Sequence, residues 1–184
     1  MLFHRSPRLL LRPVFAEDWQ AVHAGINDFA VVSMLASAPW PYREDDAREF
    51  TALASNLRSL RFAMALPGLR GAPVIGCIGF EAGEEGAELG YWLARPYWGR
   101  GYATEAGGAA VEMMRALGFD RLAAGYAIDN PASGRVLAKL GFQETGEVRE
   151  QFSRGRGALV PVRRMGMNLR TIVGDQHLPH LQAA

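Results

Sequence analysis

Gly99 and Gly101 stand two residues apart in the stretch PYWGRGYATEA, residues 96–106, directly ahead of a run with helical spacing. Glycine costs backbone entropy, so it is kept where a positive φ or a close approach is needed. Behind it, Ala103, Ala106, Gly107, Ala110, Val111, Met114 and Leu117 share one helix face, and Gly118 is a suitable stop. Small residues fill the first half of that face and let it lie close against a sheet. The first turn of a helix carries unpaired N–H groups and a partial positive charge, which suits an anion, commonly a phosphate. A tight strand-to-helix turn without a ligand would satisfy the same spacing. A dinucleotide fingerprint needs a third glycine where Thr104 stands, and the Gly-Lys-Ser/Thr ending of an NTP-hydrolysing loop is missing.

The surrounding pattern constrains the fold. Leu9–Leu11 followed by Arg12-Pro13 reads as a strand closed by proline, and Glu17-Asp18 opens a helix through Trp19, Val22 and Ile26. SAPWPY, residues 37–42, is a rigid loop, and residues 44–60 return to helical spacing with Ala47, Phe50, Leu53, Ala54 and Leu57 on one face. Residues 61–66, 73–80 and 88–93 read as three strands in sequence, with EAGEEGA at 81–87 as turn chemistry. After the glycine-led helix come a strand at 122–128, a helix in NPASGRVLAKLGF at 130–142, and two strands within 144–169 joined near SRGRGA. Pro131 sits at the first helical position and Gly141 past the end. Strands in series predict hairpins, so the order predicts an α+β fold and not a doubly wound one.

The 184 residues suit one domain, expected over 1–170 with a tail at 171–184. A net charge of +1 argues against an extended nucleic-acid surface. Cys77 is the single cysteine, so a disulfide and a cysteine-based zinc cage are excluded, and its apolar neighbours predict a core position. No metal site is expected. The opening residues, broken by Arg5, Arg8 and Arg12, lack the apolar stretch of a signal peptide, and no run suits a membrane span. A cytoplasmic setting is therefore expected, and a homodimer is left open.

Taken together, YWGRGYATEA and NPASGRVLAKLGF resemble the two cofactor-contacting motifs of the GNAT superfamily of acetyl-CoA-dependent N-acetyltransferases. Trp98 to Ala103 fits that family's Q/R-x-x-G-x-G/A loop, with Trp98 where many members have Gln or Arg. The flavour of both motifs, the opening LRP before an acidic helix start, and the PWPY loop look like the RimJ/RimL branch, which acetylates protein N-termini. The likeness spans roughly residues 8–170. It implies a GNAT-like α+β fold: a mixed, mostly antiparallel twisted sheet of about seven strands with about four helices, splayed around the cofactor. It also implies acetyl-CoA as cosubstrate and direct transfer of acetyl to an amine, either a protein N-terminus or a small molecule. A CoA-binding sensor or partner module without transfer activity is the competing reading.

The resemblance implies specific sites. Trp98, Gly99, Arg100, Gly101, Tyr102, Ala103 and Thr104 would hold the pyrophosphate, chiefly through backbone N–H groups. Arg95 and Arg100 are either added charge or solvated surface. Asn130 would anchor the pantetheine arm or merely cap its helix. Many relatives place a tyrosine seven residues after that asparagine to protonate the leaving thiolate, and Leu137 stands there. Ser133, one turn earlier and also expected near the cofactor, is the replacement, directly or through a water; otherwise it caps or packs. Glu88 is the candidate base or an exposed strand end. Alternation puts it with Gly90 and Trp92 on one strand face and Leu89, Tyr91 and Leu93 on the other. An N–H near residues 89–92 would face the developing oxyanion. An α-amino group titrates near 8 and a lysine near 10.4, so an N-terminus needs the less help. Trp40 and Tyr42 would wall an acceptor pocket or form a core edge. Arg154-Gly155-Arg156 is either a contact for an acidic partner or a solvated turn.

Overall fold

The computed structural model describes residues 3–53 and 58–170; the expected tail at 171–184 and the helical positions Ala54 and Leu57 lie outside them. In chain order the strands are β1 (His4–Arg5), β2 (Leu10–Pro13), β3 (Ser59–Ala65), β4 (Val74–Gly83), β5 (Gly86–Leu93), β6 (Arg121–Ala127), β7 (Gln143–Ser153) and β8 (Ala158–Asn168). The helices are α1 (Trp19–Ile26), the single turn α2 (Phe29–Val32), α3 (Glu44–Ala52), α4 (Tyr102–Ala116) and α5 (Pro131–Leu140). The eight strands form one sheet in the order β1-β2-β3-β4-β5-β6-β8-β7. The architecture is the expected α+β one, with one strand more than predicted because two-residue β1 has no period to read.

Two apolar clusters flank the sheet. Leu9, Met64, Ile75, Leu89 and Leu93 pack with α4 and with Leu137 of α5 on one face. Val22, Ile26, Ala47, Cys77 and Trp92 form the second cluster on the other face. The period of two in β5 therefore splits its side chains as alternation requires. Alanines 106, 109 and 110 and Gly107 are buried on α4, so the small-residue face does lie close to its neighbours. Arg12 fastens β2 to the start of α1 through two 2.7 Å bonds to the Asp18 carboxylate. This pair is the physical content of the LRP sequence ahead of an acidic helix start.

Two local readings are corrected. Only Glu84 and Glu85 form the turn within 81–87, because cross-strand pairing carries β4 to Gly83 and starts β5 at Gly86. Residues 44–60 do not continue as one helix. Leu53 already has extended backbone at φ −66, ψ 118, and strand β3 begins at Ser59.

Every strand pair is antiparallel except β5–β6. That parallel pairing covers only Ala87↔Leu122, Glu88↔Ala123 and Leu89↔Ala124. Beyond it β5 stays paired to β4 through Leu93, and β6 stays paired to β8 through Ala127. The two strands thus part in the middle of the sheet and leave a V-shaped gap, with α4 and α5 starting beside its open end.

Candidate active site

The glycine loop sits at the rim of the gap. Gly99 and Gly101 take φ of 71° and 79°, the left-handed region that side chains avoid. Gly101 is the residue before α4 and no side chain caps that end. Glu105 N–H makes the first helical bond, to Gly101 O at 3.0 Å. The N–H groups of Tyr102, Ala103 and Thr104 therefore have no acceptor within the helix and sit at its positive end. Trp98 has a fastening role: its indole N–H donates to Leu93 O at 2.7 Å, pinning the loop to the end of β5. Arg100 is exposed near the Tyr97 ring, and Arg95 pairs with Asp28 at 3.5 Å.

The loop is braced from far along the chain. The Glu105 carboxylate accepts from Ser6 Oγ at 2.7 Å, from Arg8 N–H at 2.7 Å and from Arg8 Nε at 2.6 Å. Arg8 also donates to Arg100 O at 2.9 Å and lies over the Tyr102 ring. Burial pushes the Glu105 carboxyl up, but the bonds from Ser6 and Arg8 outweigh it and hold the group below its ordinary value. Sequence reasoning missed this brace, whose partners are separated by 97 positions.

Across the gap, Asn130 caps α5: its Oδ1 accepts from Ser133 N–H at 3.2 Å. Its amide nitrogen makes no hydrogen bond among the described residues, and Asn130 lines the cavity of this gap. Ser133 Oγ meets the hydroxyl of Tyr91 at 2.9 Å, joining β5 to α5. Burial raises the Tyr91 phenol above its ordinary value and the Ser133 bond offsets part of this, so Tyr91 keeps its proton at neutral pH. Leu137 is buried in the core and offers no proton. Tyr91 is a site residue that the motifs did not name. The signal was present in β5, where alternation turns it away from Glu88.

Glu88 occupies the other face. Both of its oxygens accept from Arg164, at 2.6 and 3.2 Å. Arg164 reaches it from β8 across β6, over Gly125. A Cβ at that position would come within 2.9 Å of Arg164 Nη1 and 2.8 Å of Val162 Cγ1. Glu88 is therefore not a free carboxylate; it is half-buried and held by a buried guanidinium.

One cavity of about 960 Å³ runs through the gap and touches both faces of the sheet. Gly99, Ala103, Tyr91, Asn130 and Ser133 line one part, and Glu88, Trp92, Tyr42 and Phe50 line another. Trp40 does not line it; it packs edge-on to Phe29 at 5.3 Å. The SRGRGA tip is a turn that keeps Arg154 exposed and is docked on the segment at 33–38. Ser153 Oγ donates to Leu35 O at 3.0 Å, Arg154 N–H donates to Ala36 O at 2.9 Å, and Arg156 pairs with Asp129 at 2.6 Å. The tip thus holds the segment at 33–38 as a wall of the cavity. Among the described residues there is no group of three or more His, Cys, Asp or Glu arranged to hold a metal. Among the described residues no helix is long and apolar enough to cross a membrane.

The residues present suit a pantetheine thioester on two observations: unpaired N–H groups behind two left-handed glycines, and a slot between strands that have stopped pairing. Comparison with known proteins points the same way. Residues 8–143 match the family model described as an acetyltransferase (GNAT) domain. The chain is 33% identical over 177 residues to an uncharacterized N-acetyltransferase, p20, of Bacillus licheniformis, covering 92% of this chain and 97% of that protein. A GNAT-family acetyltransferase from Bacillus anthracis superposes with a TM-score of 0.78 at 26% identity, covering 91% of this chain and 99% of that one. A ribosomal-protein α-N-acetyltransferase, RimL, solved with coenzyme A, shares the fold with a TM-score of 0.76 at 19% identity, covering 91% and 98%. With both cofactor-contacting motifs inside the matched region and a relative aligned along nearly its whole length, the chain belongs to the GNAT family of N-acetyltransferases, which use acetyl-CoA.

Proposed function

We propose that this chain moves acetyl from acetyl-CoA directly to a primary amine, and that the two substrates meet at the point where β5 and β6 part. The observation that carries the reading is the placement of the Tyr91–Ser133 pair and of Glu88 on opposite sides of one gap, within one cavity. The thioester supplies an activated acetyl carbonyl. The N–H groups of residues 102–104 hold the pyrophosphate, and the amide nitrogen of Asn130 donates to the pantetheine arm. Glu88 takes one proton from the incoming ammonium to give the neutral amine, whose nitrogen attacks the carbonyl; a second proton leaves the nitrogen to solvent as the N–C bond forms and the C–S bond breaks. A β5 N–H beyond Leu89, facing the gap, donates to the carbonyl oxygen. Ser133 Oγ–H gives its proton to the sulfur, and Tyr91 passes its own to Ser133. In this scheme the Tyr91–Ser133 pair does the work that Leu137 cannot. A thiol titrates near 8.5, so this proton assists without being indispensable.

A protein N-terminus is one acceptor within this class, supported by the shared fold with the RimL enzyme. The test is release of free CoA from acetyl-CoA in the presence of amines, beside the thermal shift caused by acetyl-CoA alone. Transfer to any amine supports the reading. A large shift with no release from a broad panel of amines would leave a CoA-binding module and overturn it.

A further inference from the structure

The part of the cavity on the Glu88 face has a composition that selects among amines. Its walls are apolar: Met34, Leu35, Tyr42, Phe50 and Leu53 face Trp92 across it. Leu53 is half exposed and Met34 is 38% exposed, so apolar surface stays open to solvent at the mouth. Two of its four carboxylates, Glu81 and Glu88, are paired with guanidinium groups of the protein. Glu81 accepts from Ser59 at 2.7 Å and from Arg61 at 2.9 Å. Glu88 is engaged by Arg164 through both oxygens. Asp46 accepts the Arg43 N–H at 2.8 Å, closing the start of α3. Arg154 adds positive charge to the lining, while Arg61 is paired with Glu81. Asp46 and Glu49 have no guanidinium partner among the described residues, so the selection falls to the walls. Apolar walls repay an apolar group, in proportion to the area they remove from water.

Resting on the transferase reading above, we infer that the acceptor is a primary amine with a bulky apolar group close to the nitrogen. The nitrogen lies toward Glu88 and the apolar group lies among Phe50, Leu53 and Trp92. Such an amine exists as a free arylalkylamine or as a peptide with an apolar first residue.

The test uses the full chain with acetyl-CoA and four acceptors: phenethylamine, a pentapeptide beginning with Phe, the same peptide beginning with Ser, and spermidine. CoA release gives kcat/KM for each. The expected result is at least a tenfold preference for phenethylamine or the Phe peptide over spermidine and the Ser peptide. The ratio between the two apolar acceptors distinguishes a free amine from a peptide terminus. Equal or greater activity on spermidine or the Ser peptide overturns the inference while leaving the transferase reading intact; no release with any acceptor overturns both. Leu53→Asp, at a half-exposed position that tolerates charge, should cut the apolar preference at least fivefold while the acetyl-CoA thermal shift stays unchanged. A preference that survives Leu53→Asp counts against the assigned wall.

Discussion

Replacing Glu105 by Gln removes one charge from the brace under the glycine loop and leaves its shape intact. The carboxylate accepts three hydrogen bonds, two of them from Arg8. A hydrogen bond to a charged group contributes about 1.5–3 kcal/mol, and such bonds within one cluster do not add. Gln keeps one acceptor oxygen but turns an NH2 group toward a donor. Arg8 is half exposed, so solvent screens the ion pair and its own share is small. The net cost is about 2 kcal/mol, or roughly 4–8 °C in Tm for a domain of this size. The pH dependence has a definite sign. Glu105 has a folded pKa held below its ordinary 4.5, so its contribution is fully present above that value and is lost as pH falls through the folded pKa. Thermal melts of both proteins at neutral pH and at stepped values below pH 4.5 should show a gap that narrows toward acid. Acetyl-CoA should also bind the variant more weakly, because Arg8 positions the Arg100 carbonyl. A gap of constant size across the series, or none at pH 7, would refute the brace.

Gly101→Val places a β-branched residue at φ 79° and should weaken acetyl-CoA binding at least tenfold, about 1.4 kcal/mol, by calorimetry; unchanged affinity in a folded variant would dismiss the loop as the anion site. Tyr91→Phe keeps the ring and loses the hydroxyl, so kcat should fall about tenfold with KM for acetyl-CoA nearly constant, and the double variant with Ser133→Ala should be no slower than Ser133→Ala alone; additive losses would mean that the two do not act as a pair. Glu88→Gln should lower kcat about 10²-fold at pH 7, recovering as pH rises toward the pKa of the amine; a flat profile at wild-type activity would remove Glu88 from proton transfer. Asn130→Ala should raise KM for acetyl-CoA more than it lowers kcat, and the opposite pattern would give Asn130 a chemical role.

Helices α4 and α5 were legible because their punctuation is local. Gly101 and Gly118 bracket one, and Asn130-Pro131 and Gly141 bracket the other. The alternation in β5 was equally plain, since each residue needs only the next for its face to be known. The single turn α2 and the two-residue β1 have no period, and Glu81–Gly83 looked like a turn because acids and glycine favour one until β5 supplies a partner for pairing. The loop that holds an anion could be read, but its support could not. Arg8 reaches Glu105 across 97 positions and Arg164 reaches Glu88 across 76, and no spacing rule connects residues that only the sheet order makes neighbours. Arg156 looked like free charge for the same reason, since Asp129 lies on the far side of β7 and α5 in the chain.

The three-residue seam between β5 and β6 has a mechanical consequence. Strands β1 to β5 form one antiparallel plate and β6 to β8 form another, and each is laced internally along most of its length. Between the plates the lacing runs only from Ala87↔Leu122 to Leu89↔Ala124. The molecule is built like a book bound over only three of the seven residues of β6, and a guest laid into the opening stitches the two covers together. Amide exchange should register this as a change in stiffness. Protons on the free edges of β5 beyond Leu89 and of β6 beyond Ala124 should exchange fast in the empty protein and slow markedly with acetyl-CoA, while those between β3 and β4 hardly change.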